Sequence, residues 1–127
     1  MLAADHVPQL VVTSHCRHRL LLRVRNDLAG EPRGVLDQAV LDIVRSSATV
    51  RYGAPSWKLQ ATRPCWVAEL VTLGTPAGSG PEWMHVAVVL TCRRDYWLAT
   101  TILTKVRRTR AARLFAPAWQ AVAARPA

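Results

Sequence analysis

The chain has 127 residues, half of them hydrophobic, which is enough for one domain with an apolar core and excludes a disordered polymer. Its formal net charge is +9, carried almost wholly by arginine, since Lys58 and Lys105 are the only lysines. That balance points to a polyanion, either nucleic acid or an acidic protein, although so much alanine and valine beside it also fits a GC-rich coding bias.

The first ten residues, MLAADHVPQL, place an acid, a histidine and a proline where a secretory signal needs basic residues and then an apolar run. The longest apolar run, residues 86–90, is too short to span a bilayer, so no membrane partner is expected. Cys16, Cys65 and Cys92 are odd in number and form no CxxC pair, which argues against a disulfide framework or a thiolate zinc site. Reduced thiols in a cytoplasmic protein are the expectation.

Thr13 or Ser14 suits the cap of a first helix running to about Leu28 and ended by Gly30. Pro32 fits the first turn of a second helix, in which Val35, Leu36, Ala39, Val40, Ile43 and Val44 recur at helical spacing. Residues 49–52 read as a short strand and residues 53–62 as a loop around Pro55. The β-branched and aromatic content of residues 65–73 predicts a strand. Residues 74–82, GTPAGSGPE, are the clearest loop. Residues 83–92 and 96–104 read as two strong strands, joined at Arg93, Arg94 and Asp95 as an antiparallel hairpin. Residues 107–124 have helical composition, interrupted at Pro117. The order predicts an α+β fold: two N-terminal helices packed on a three- to four-stranded antiparallel sheet, with a basic C-terminal helical tail. A single domain over residues 1–127 follows, its core at about 11–104 and its tail at 105–127.

On the first helix, Cys16, Leu20, Leu21, Val24 and Leu28 fall in one apolar sector. His15, Arg19, Arg23 and Asn26 form a polar stripe outside it. Arg17 points towards the apolar sector and Leu22 sits beside the polar stripe, so both fit badly. Taken alone, the stripe reads as the solvated face of an amphipathic helix. A face directly opposite the core meets water rather than a cleft, and Arg23, bordering the apolar sector, is better placed than His15.

The order H-x-x-x-R-x-x-x-R on a first helix, an apolar second helix, then strands ending in WLATTILT resembles small bacterial RNA-cutting toxins of the RelE/BrnT type. These belong with the barnase/colicin-like nuclease fold group. The resemblance covers residues 11–104 and rests on short motifs. The long loop at residues 74–82 and the basic tail depart from it. It implies metal-independent endoribonuclease chemistry: a base takes the ribose 2′-hydroxyl proton, the oxygen attacks the adjacent phosphorus, and an acid protonates the leaving 5′-oxygen. Histidine titrates near neutrality and suits either proton role, whereas arginine keeps its proton and holds phosphate. The resemblance assigns proton transfer to His15, with His18 the less favoured neighbour, and phosphate binding to Arg19 and Arg23. Thr100 or Thr101, with Thr101 preferred, would hydrogen-bond the phosphate. No metal ligand set and no cofactor is expected.

Other constellations carry less. His15 and His18 stand three apart with no carboxylate within a turn. His85 reads as a satisfied sheet histidine that could supply a second proton-transfer group. The acids, Glu69 among them, are scattered. Of five tryptophans, Trp66, Trp83 and Trp97 fall in strands and read as core, with base stacking the lesser alternative, while Trp57 and Trp119 are freer to meet a partner. Lys105, Arg107, Arg108, Arg110 and Arg113 cluster in the tail as a contact for an RNA backbone or an acidic antitoxin. The functional alternatives are a non-catalytic nucleic-acid-binding protein and a module that binds an acidic protein partner.

Overall fold

The computed structural model describes residues 9–47, 49–57 and 65–106. Its elements in chain order are β1 (Leu10–Val12), α1 (Ser14–Arg23), a short 3-10 turn (Asn26–Leu28), α2 (Arg33–Arg45), β2 (Thr49–Tyr52), β3 (Trp66–Gly74), β4 (Glu82–Cys92) and β5 (Trp97–Val106). The α+β class follows the expected order of elements. The sheet, however, has five strands in the order β1-β5-β4-β3-β2, and it is mixed. Strands β2 to β5 pair antiparallel, whereas β1 lies parallel to β5 with Leu10 opposite Trp97 and Val12 opposite Ala99. Strand β5 also extends two residues beyond the expected end of the core, so Lys105 belongs to the sheet rather than to a tail. The expected basic helix, with Arg107, Arg108, Arg110 and Arg113, lies outside the described residues.

Thr13 caps α1 and also ties it to the sheet. Its Oγ1 accepts the Cys16 N–H at 3.1 Å and reaches the Ala99 and Thr100 carbonyls, each at 3.1 Å. Helix α1 ends at Arg23, short of the expected Leu28, because the residue 74–82 loop takes over its last carbonyls. The Ala77 N–H donates to Leu22 O and the Thr75 N–H to Val24 O, while Asn26 N–H returns to Thr75 O. The long loop is thus a clasp on the exit of α1. Gly30, with φ of 89°, makes the left-handed turn between the 3-10 turn and α2.

Cys16, Leu20 and Val24 bury against Val40 and Val44 of α2 and against Val86, Val88, Leu90, Ala99 and Ile102 of the sheet. Each such Val or Leu contributes about 1.5–3 kcal/mol by leaving water. Arg17, the cation that fitted the helix badly, is a strut: its Nη1 donates to Val12 O at 2.8 Å and to Asp37 Oδ1 of α2 at 3.0 Å. Both helices therefore lie on one face of the sheet. Among the described residues no helix is long and apolar enough to cross a membrane.

Candidate active site on the sheet face away from the helices

The expected site residues on α1, His15, Arg19 and Arg23, stand at every fourth position of a helix that packs against β5. His15 is exposed, and its Nε2 stands 3.5 Å from Arg19 Nε, which donates to it. Arg23 is half-buried and its Nη1 donates to Ile102 O at 2.9 Å. The register leaves β1 paired with β5 only at residues 97–99, so Arg23 caps the strand beyond that pairing. Arg23 thus lies at the flank of α1, with its guanidinium tied to the sheet.

Thr101 is not with them. Strand β5 carries a bulge opposite the Val89/Leu90 step, which shifts the alternation of its side chains. Ala99 and Ile102 both enter the core, and Thr101, opposite Val89, faces the other side of the sheet. Thr100 is occupied structurally, its Oγ1 donating to Val89 O at 3.2 Å. The structure brings His15, Arg19 and Arg23 into one row but sets Thr101 on the opposite face.

That opposite face carries a second group of chemistry-bearing side chains. Alternation along β3 and β4 places Glu69 and His85 away from the core, since Ala68, Val86 and Val88 point into it. Glu69 pairs with Ala87 and Val71 with His85, so the acid and the imidazole are diagonal neighbours, with Cα atoms about 7–8 Å apart. Lys105 of β5 stands directly opposite His85 on its other side. Glu69, His85 and Lys105 therefore cross three adjacent strands in a diagonal row.

The turn just after β2 lies against one side of this row. Glu69 is only 7% exposed, and its Oε1 accepts the Ser56 N–H. The Trp57 ring lies 5.5 Å from the His85 ring at a tilt of 45°. Thr49, Ser56, Trp57, Glu69, Val71 and His85 line a small cavity of about 160 Å³. Carboxylate and imidazole can exchange protons with the two oxygens flanking a phosphorus, and an ammonium can hold the phosphate. Among the described residues no group of three or more His, Cys, Asp or Glu side chains could hold a metal ion.

Sequence reasoning weighed His85 only as a secondary candidate and passed over Glu69 as one scattered acid. The available signal was parity, because each interrupts the outward positions of an apolar strand. Pairing them required the register. Trp83 also departs from expectation: it is 58% exposed on this face, whereas Trp97 is buried and Trp66 half-buried beside it, with ring centroids 6.3 Å apart.

No protein-family model matches the chain, and neither a curated protein nor a solved structure matches it.

Proposed function

We propose that this chain is an RNA-binding protein that acts in the cytoplasm as a metal-independent, toxin-type endoribonuclease. The observation that carries this reading is the row of Glu69, His85 and Lys105 on three adjacent strands of the sheet face turned away from the helices. Glu69 and His85 serve as the base and acid of ribose 2′-oxygen attack, and Lys105 holds the phosphate. His15, Arg19 and Arg23 along β5, with Arg107, Arg108, Arg110 and Arg113, guide the RNA backbone. Proton transfer is assigned to His85 rather than to His15, because among the described residues the only polar side-chain partner of His15 is the guanidinium of Arg19.

A second reading has an observation of its own. Glu69 accepts the Ser56 N–H, so its carboxylate already anchors a loop, which suits a non-catalytic RNA-binding face. Cleavage of end-labelled RNA in EDTA by the purified chain and its variants separates the two. The catalytic reading expects His85→Ala and Glu69→Gln, checked for folding by circular dichroism, to lose cleavage by a hundredfold or more, on the order of a lost proton-transfer group. His15→Ala then retains most of it. Binding without cleavage selects the non-catalytic reading, and a stable complex with an acidic protein without RNA binding rejects both.

A further inference from the structure

Trp83 lies on β4 facing away from both helices and is 58% exposed. Its direct cross-strand neighbour, Leu73, is 51% exposed, so the ring is not shielded from that side. A tryptophan left in water adds little to stability, and the hydrophobic cluster that packs the helices lies on the other face. Two positions along the same face of β4, about 7 Å away, stands His85, with the Trp57 ring packed beside it and Lys105 opposite. Arg51 of β2 shares the face, two pairs beyond the Thr49–Glu69 pair.

A flat aromatic surface beside cations, on a chain of net charge +9, complements a polyanion that presents exposed π faces. Single-stranded RNA has that chemistry. A duplex does not, because its bases are stacked inward and only its backbone is offered. An acidic protein segment would satisfy the cations but gains nothing particular from an aromatic ring over Leu73-like apolar area.

Building on the RNA-cleaving reading above, we propose that Trp83 is a base-stacking platform that selects unpaired nucleotides for the Glu69–His85–Lys105 row. A base seated on the indole and a phosphate held between His85 and Lys105 belong to the same or adjacent nucleotides. Trp83 then determines specificity through binding and takes no part in proton transfer.

The test measures fluorescence-anisotropy binding of a labelled unstructured RNA oligomer and of a blunt RNA duplex of equal phosphate number. Wild type, Trp83→Ala and Trp83→Phe are compared, with thermal melting confirming that each folds. Loss of one base–aromatic stack is worth about 1–3 kcal/mol, so Trp83→Ala is expected to weaken single-strand binding roughly five- to hundredfold. Duplex binding should be unchanged, and Trp83→Phe should restore most of the loss. Equal loss on both RNAs, or no loss on the single strand while wild type binds it, overturns the platform and leaves the RNA reading standing. Wild type that binds neither RNA overturns both.

Discussion

At the scale of single residues, burial sets the reactivity of the three thiols. Cys16 lies in the core beneath α1, and burial pushes its thiol up to about 12. Cys92 is exposed, and Cys65 is half-buried with its Sγ donating to Gly53 O. A thiol reagent at neutral pH should therefore modify Cys92 first and Cys16 only when the chain unfolds, as read by peptide mass mapping. Equal labelling of Cys16 and Cys92 would mean that α1 does not stay packed.

Asp27 supplies a pH dependence of opposite origin. The Arg25 hydrogen bond, then that of Thr75, lowers its carboxyl from 3.8 to about 2. A carboxyl lowered by folding stabilises the fold fully above its unfolded value, and that stabilisation fades as pH falls through the folded value. Urea midpoints should decline between about pH 4 and pH 2, and Asp27→Asn should flatten part of that decline. The pair is largely exposed, so the effect is small, and an unchanged slope would show it to be idle. Residue identities in the core were legible because Cys16, Leu20 and Val24 repeat at helical spacing. The outward residues were not. The bulge in β5 reverses the parity of Thr101 relative to Ala99, and no local pattern announces it.

At the scale of elements, the clasp of the 74–82 loop on α1 depends on a close approach at Gly74. A Cβ there would stand 2.8 Å from Met84 Sδ and Cε and 3.2 Å from Val24 O. Met84 is itself buried, so it has little room to yield. Gly74→Ala should lower stability by about 1–3 kcal/mol in urea melts. In a double-mutant cycle with Met84→Ala the combined loss should fall short of the sum, since the shortened side chain removes the clash. Strict additivity would refute the contact. The helices and the β4–β5 hairpin were legible from apolar periodicity and from the charged turn at residues 93–95. Strand β1 was not, because three residues, Leu10–Val12, carry no period of their own and acquire a partner only when β5 folds beside them. The end of α1 was hidden for the same reason, since the loop that takes its carbonyls is about fifty residues away in sequence.

At the scale of the whole molecule, the sheet has two faces with different work. One buries α1 and α2 and holds the fold together. The other carries Glu69, His85, Lys105 and the exposed Trp83, while Arg23 of α1 binds the β5 backbone at Ile102. Excess positive charge was plain from composition, but its division between a structural strut (Arg17), an edge cap (Arg23) and the sheet face required the fold. In the proposed function the row on α1 serves as a backbone guide, and proton transfer falls to Glu69 and His85 on the opposite sheet face.

The most direct test of that account is the chemistry of the cut ends. RNA incubated with the purified wild-type chain in EDTA should yield fragments with 2′,3′-cyclic phosphate and 5′-hydroxyl termini, the signature of attack by the ribose 2′-oxygen. No cleavage, or fragments with 5′-phosphate ends, would contradict it.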